Sequence, residues 1–206
     1  GKSTQLPCFL YADGIAKGGA IAVTEPRRIA AVSLARFVAK ELAVAIGEEV
    51  GYKVRFDNKA SRKTEIKFLT DGMLLREITE DPELSAYSIV MVDEAHERNT
   101  NIDLILGLLK RLIARRPELK VIISSATIDA EKFSAYFDGA PVVEVSGRLH
   151  PIKIVYDDCG AQEDGNGTLA RIVAEKTAAI HNHEPEGDIL VFLPGEDTIN
   201  QTMDVL

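Results

Sequence analysis

Tryptophan is absent from this 206-residue chain, and cysteine occurs only twice. Two isolated cysteines, Cys8 and Cys159, exclude a disulfide framework or a cysteine-rich zinc cluster. They fit a reducing, intracellular compartment, cytoplasmic or nuclear. Long apolar runs are missing too: none approaches the roughly 18 residues that span a bilayer, and no basic-plus-apolar signal segment stands at the start. Positive charge is scarce, with 24 Lys and Arg against 32 Asp and Glu and a net charge of −8. That is the wrong sign for holding nucleic acid by bulk electrostatics, so any nucleic-acid contact must be local. There is no initiator Met either; the chain opens on Gly1, which reads as a piece of something longer.

What is present is enough for a buried core: 46% of residues are hydrophobic and 27% charged, which excludes wholesale disorder. Short β-branched or apolar runs recur at 20–23, 51–56, 66–69, 89–92, 121–123, 142–145, 152–156 and 189–193. Amphipathic helical stretches lie between many of them, such as Ile102, Ile105, Leu106, Leu109, Leu112 and Ile113 at i, i+3, i+4 spacing. Several central runs are apolar on both faces, as in a parallel sheet covered on each side. The pattern predicts an α/β, doubly wound fold: a mostly parallel sheet with helices on both faces. A shift to a polar, Gly-rich stretch after Val145 predicts a boundary, with one domain over 1–147 and the opening of a second α/β domain over 148–206.

Three segments carry chemistry. Gly1-Lys2-Ser3-Thr4 matches the end of the phosphate-binding loop G-x-x-x-x-G-K-[ST], where backbone N–H groups at a helix N-terminus cradle phosphates. There Lys2 would reach the β- and γ-phosphates and Ser3 would ligate Mg²⁺; on this motif alone an ordinary helix start is the alternative. Ile89-Val90-Met91-Val92 runs into Asp93-Glu94, an apolar strand ending in two carboxylates. This places Asp93 where a phosphate-bound Mg²⁺ sits and Glu94 where it orients or deprotonates an attacking water. The alternative is a solvated turn capped by Asp. Ser125-Ala126-Thr127 follows the strand at 121–123 and puts hydroxyls at the same sheet edge, where they would equally well cap a helix.

Taken in order, Gly1–Thr4, Thr24–Ala31, Thr70–Glu77, Asp93–Arg98, Ser125–Thr127 and Leu190–Gly195 resemble motifs I, Ia, Ib, II, III and IV of the DEAH-box RNA helicases. The resemblance covers essentially the whole chain. It implies a RecA-like P-loop NTPase domain followed by the start of a second RecA-like domain. It also implies hydrolysis of ATP, or another NTP, with Mg²⁺, coupled to translocation on single-stranded RNA, with an activator protein acting on the full-length parent. Gly1, Lys2, Ser3 and Thr4 would bind the triphosphate, Ser3 and Asp93 the metal. Glu94 would be the catalytic base and His96 would couple the γ-phosphate to the second domain. Ser125 and Thr127 would relay nucleotide state. Arg27 and Arg28, with Thr70, Asp71 and Gly72, would grip the RNA backbone, contacts that position a strand without reading its sequence.

Between Lys53 and Lys67 six basic residues face two acidic ones, a local balance of +4. In the resembling family this segment includes a turn that guides RNA; a solvated hairpin face is the other reading. The basic run from Lys110 to Lys120 reads as solvated surface. Glu25 stands where the family usually has Gln, and its charge would weaken a phosphate-side contact. Phe37 replaces an Arg that stacks on adenine and reads as core, with Arg36 one residue early. Asn99 replaces a hydroxyl and reads as remote from the chemistry. The later family motifs, which supply an arginine finger worth about 10³–10⁵ in rate, have no counterpart in these 206 residues. The chain alone is therefore expected to show little RNA-stimulated ATPase activity. A non-enzymatic RNA- or partner-binding module that keeps the fold is the competing expectation.

Overall fold

Five of the apolar runs become strands of one six-stranded sheet in the computed structural model, which describes residues 1–126, 130–145, 150–156 and 165–206. The strands are β1 (Ala20–Glu25), β2 (Val50–Val54), β3 (Asp57–Lys59), β4 (Ile66–Thr70), β5 (Tyr87–Val92) and β6 (Lys120–Ile123). They lie in the order β3-β2-β4-β1-β5-β6, and every pairing is parallel except the short β2–β3 hairpin. The run at 51–56 ends its strand at Val54, because Phe56 takes a left-handed conformation, φ 65°, and turns the chain back into β3.

Side chains alternate across the sheet, so each strand feeds two cores. Ala22, Leu69, Val90 and Val92 face one side, with Leu74 and Ile78 of α3 (Asp71–Glu80) and Ile102, Ile105, Leu106 and Leu109 of α4 (Thr100–Ile113). Ile21, Val23, Ile66, Phe68, Ile89 and Met91 face the other, with Cys8 of α1 (Lys2–Ala12) and Ala31, Ala35, Val38 and Ala39 of α2 (Arg28–Glu41). Burying one Leu or Ile contributes about 1.5–3 kcal/mol, so the α4 stripe alone anchors that helix. The small α2 stripe lets its backbone lie close to the sheet. The fold class is therefore the expected α/β one, with helices on both faces of a mostly parallel sheet. Among the described residues no helix is long and apolar enough to cross a membrane.

Two compact units divide the chain, Gly1–Val145 and Ser146–Leu206. The first also holds α5 (Ala130–Tyr136). In the second, α6 (Gly165–His183) and α7 (Glu196–Val205) bury Ala170, Ala174, Thr198 and Thr202. The strand-like runs at 142–145, 152–156 and 189–193 form no strand. A strand needs a ladder partner for its backbone groups, and without one Tyr156 stays 92% exposed. Nor is the 110–120 run simply solvated. The Arg116 side chain is 16% exposed and its guanidinium donates to the carbonyls of Glu83 (2.6 Å), Leu84 (2.9 Å) and Tyr87 (3.3 Å), stapling the α4–β6 turn to the start of β5. Lys110 likewise reaches the Tyr136 carbonyl and Asp138.

Candidate functional site

The carboxyl ends of β4, β1, β5 and β6 lie side by side, and β1 is where the chain's progress divides, towards β2 on one side and β6 on the other. Open parallel sheets bind ligands at such a point, because the flanking connections diverge and leave a crevice. The sequence delivers acids there: Glu25 closes β1, Asp71 follows β4, and Asp93 and Glu94 follow β5. Backbone bonds hold the edge together, Asp93 N–H to Thr24 O at 3.2 Å, Ser124 N–H to Val92 O at 2.9 Å and Ala95 N–H to Ser124 O at 3.0 Å.

Burial makes this edge electrostatically tense. Glu25, Asp71 and Asp93 are 3%, 2% and 1% exposed. Among the described residues, the buried side-chain atoms without a hydrogen-bond partner are Thr24 Oγ1, Glu25 Oε1, Asp71 Oδ1, Asp93 Oδ2 and Ser124 Oγ, and all five stand here. Each such atom costs about 1–3 kcal/mol. Burial, then the charge of Asp93, and then Glu94 and Asp71 push the Glu25 carboxyl up to about 8. Burial also raises Asp71, against the opposing bond from Asn99. The site favours positive charge or a proton.

A tight turn, Ala95–Glu97, hangs from this edge, bracketed by two non-glycine residues in the left-handed region, Glu94 (φ 51°) and Arg98 (φ 46°). Such residues are strained by about 1–3 kcal/mol and collect at functional sites. From this turn and the residues just after it, contacts run to the segments after β6, β1 and β4. The Ala126 N–H donates to His96 Nδ1 at 3.2 Å, and the same nitrogen lies 3.3 Å from Glu94 Oε2. A nitrogen that accepts from a backbone N–H carries no proton, so its approach to Glu94 is a contact between two acceptors. Arg27 pairs with Glu97 at 3.3 Å. Asn99 caps α4 through Ile102 N–H at 2.9 Å and gives its amide to Asp71 Oδ2 at 3.3 Å.

The remaining residues singled out from the sequence sit as follows. Lys2 begins α1, and its ammonium donates to the Ser125 carbonyl at 2.8 Å, which brings motifs I and III together. Gly1 is the cap residue of α1 and accepts from Gln5 N–H at 2.8 Å, while the Thr4 hydroxyl turns back to Gly1 O at 3.4 Å. Ser3 is half-buried in the first turn. Arg28 and Gly72 are exposed at the starts of α2 and α3, and Thr70 is the half-buried cap of α3. Thr127 lies outside the described residues.

Glu25 is buried against Asp93 at this edge. Two sequence expectations need correcting. Asn99 is not remote from the chemistry, since it ties the turn after β5 to the first residue of α3. Phe37 is not core: it is 47% exposed, because the buried stripe of α2 runs through Ala31, Ala35 and Val38 instead. Thr24 and Ser124 went unnoticed as site residues. Thr24 is the next-to-last residue of the central strand β1 and Ser124 directly follows β6, so a hydroxyl at the carboxyl end of an apolar run is the signal.

The donor set fits a hydrated Mg²⁺. Asp93 keeps a buried carboxylate oxygen without a partner and Ser3 supplies a hydroxyl. Among the described residues no group of three or more His, Cys, Asp or Glu forms a closed metal cage. Mg²⁺ does not need one, taking most ligands from water and substrate phosphate.

A mostly parallel sheet flanked by helices, with its polar site at the carboxyl edge of the central strands, is a RecA-like α/β domain. No protein-family model matches the chain. It is 46% identical over 203 residues, 98% of its length, to the ATP-dependent RNA helicase HrpA of Borreliella burgdorferi. Over that length the chain is similar to a DEAH-box helicase. It spans 24% of that relative's length.

Proposed function

We propose that this chain supplies the nucleotide-hydrolysing face of an intracellular ATP-dependent RNA helicase that translocates on single-stranded RNA. Residues 1–147 act as the first RecA-like domain and 148–206 as the opening of the second. The observation that carries this reading is the set of unpartnered buried acids and hydroxyls at the carboxyl edge, beside the Lys2 ammonium at the start of α1.

Gly1, Lys2 and Thr4 present the α1 N-terminus to the triphosphate of ATP or another NTP, where backbone N–H groups and the helix dipole favour phosphate. Ser3 and Asp93 hold Mg²⁺, which when bound neutralises charge on the phosphate oxygens. Glu94, half-exposed on its strained backbone, orients the attacking water and takes its proton. His96, through Ala126 N–H, carries the state of that site to Ser125 and Thr127. Arg27, Arg28, Thr70 and Gly72 meet RNA phosphates from the N-termini of α2 and α3. Asp71 is buried, so it acts by fixing the start of α3 and not by touching RNA. An activator protein would engage parts of the parent beyond these residues.

The test is ATP turnover with and without single-stranded RNA, in the longer protein carrying this segment. Glu94→Gln is expected to lower kcat by about 10²–10⁴ while nucleotide still binds, and Lys2→Ala to abolish binding. Unchanged turnover in Glu94→Gln would refute the assignment. The 206-residue chain alone is expected to turn over little ATP; robust RNA-stimulated turnover by it, lost in Lys2→Ala, would overturn that expectation.

A further inference from the structure

At the opposite edge of the same sheet, the amino ends of β4, β1 and β5 form the back of a second cleft. It has a volume of about 490 Å³ and is lined by the 16–19 loop, the 61–65 loop, Lys67 and Tyr87. That volume falls in the range of small-molecule sites. The walls are held by the fold. Gly19 lies against β5 so closely that a Cβ would come within 2.7 Å of Ser88 N. The Ser88 hydroxyl bridges the carbonyls of Ala16 and Gly19, each at 3.1 Å. On the other wall Thr64 Oγ1 accepts from Ser61 N–H at 2.9 Å and donates to Glu48 O at 2.8 Å.

The cleft's charge is unbalanced. Its floor is Lys67, which donates to Glu77 Oε1 at 2.9 Å and to the Tyr87 hydroxyl at 2.7 Å. Lys53 donates to the same Glu77 oxygen at 2.7 Å. Tyr87 gives its hydroxyl proton to the other Glu77 oxygen. Two half-buried ammonium groups thus share one carboxylate, and one positive charge stays uncompensated where burial makes that costly. At the rim Lys17 and Arg62 are exposed, with Glu65 as the one carboxylate lining the cleft. Along with the network behind its floor, the cleft gathers four cations against two carboxylates.

We propose that this amino-edge cleft is a second anion site, which takes a phosphate group carried by a nucleotide-sized compound or by an RNA strand. Arg62 and Lys17 close on the phosphate oxygens from the two rims, and Lys67 supplies the charge beneath. A phosphate near two negative charges needs more than one cation, and a guanidinium with two ammonium groups provides them from separate directions. The site is separate from the carboxyl-edge residues and does not depend on the nucleotide reading given above.

Inorganic pyrophosphate, a ten-residue oligouridylate and a polyglutamate peptide, each titrated into the full chain, would test this by amide NMR. Expected are shifts at Gly18, Gly19, Thr64 and Lys67 with pyrophosphate or with the oligouridylate. The arm that responds tells a small phosphorylated ligand from a strand. Lys17→Glu combined with Arg62→Glu, both at exposed positions, should weaken that binding at least about tenfold and leave the far-ultraviolet spectrum unchanged. Shifts confined to residues 1–4 and 93–97, equal binding to polyglutamate, or undiminished affinity in the double variant would each overturn the proposal.

Discussion

The two edges of this one sheet are built on opposite electrostatic plans. At the carboxyl edge, Glu25, Asp71 and Asp93 are buried together and every one keeps an oxygen without a partner. At the amino edge, Lys67, Glu77 and Tyr87, joined by Lys53 from farther along β2, are also half-buried or buried, yet each is hydrogen-bonded to another member of the set. The first arrangement destabilises the fold so that a cation or proton is welcome. The second knits β2, β4, β5 and α3 into one unit, and only its charge count is left over. Polarity in a core therefore has two uses, and the difference is legible in whether the bonds are made.

The comparison can be broken most forcefully at Glu77. Burial raises its carboxyl, but the bonds from Lys53, Tyr87 and Lys67 outweigh that and hold it below the usual range. Glu77→Ala strands two ammonium groups, and denaturant unfolding should show a loss of about 3–5 kcal/mol. A loss below about 1 kcal/mol would mean the network contributes no more than a surface pair.

Glu25 should behave in the opposite sense. Its ordinary value is 4.5 and in the fold it is pushed up to about 8. Between those values the folded state keeps a proton that the unfolded chain has lost. Its contribution is complete below pH about 4.5 and is lost as pH rises through about 8. Glu25→Gln should flatten that decline, by on the order of a few kcal/mol. Denaturant midpoints at about pH 5 and about pH 9 measure it, and identical pH dependence in both proteins would sink the argument.

Asn99→Ala removes the α4 cap and the partner of Asp71 together, with an expected loss of about 1–2 kcal/mol. Asn99→Ser, which keeps the cap, should recover most of the stability but not the Asp71 contact; recovery of both would show that the amide is dispensable. Smallest is Arg27→Ala. The Arg27–Glu97 pair is exposed, so stability should change by less than about 0.5 kcal/mol. The effect to look for is on RNA: a lower affinity across a salt series, with the slope reduced by about one. No change in that slope would take Arg27 out of the proposed grip.

Much of this was readable in advance wherever the signal was periodic. Ile102, Ile105, Leu106 and Leu109 announced α4, and the runs at 20–23, 66–69 and 89–92 announced the three central strands that carry Glu25, Asp71 and Asp93. What the sequence hid depends on partners far along the chain. Arg116 looks like any surface arginine until three carbonyls, from residues 83, 84 and 87, converge on it. The runs at 152–156 and 189–193 have strand composition, but composition supplies no ladder partner. Glu25 was visible as an odd residue in its motif; its burial against Asp93 comes from the register of β1 and β5, which pairs Thr24 with Val92 and which no local pattern reveals.

The left-handed pair that brackets the Ala95–Glu97 turn has a consequence for laboratory evolution. Glycine relieves the strain at either position, so a library screened for heat resistance alone should enrich glycine at both 94 and 98. A library screened for ATP turnover in the longer protein should accept it at 98 and reject it at 94. Arg98 pairs with Asp103 at an exposed position, where such a pair contributes about 0–1 kcal/mol, so the carboxylate of Glu94 is the side chain that turnover would keep.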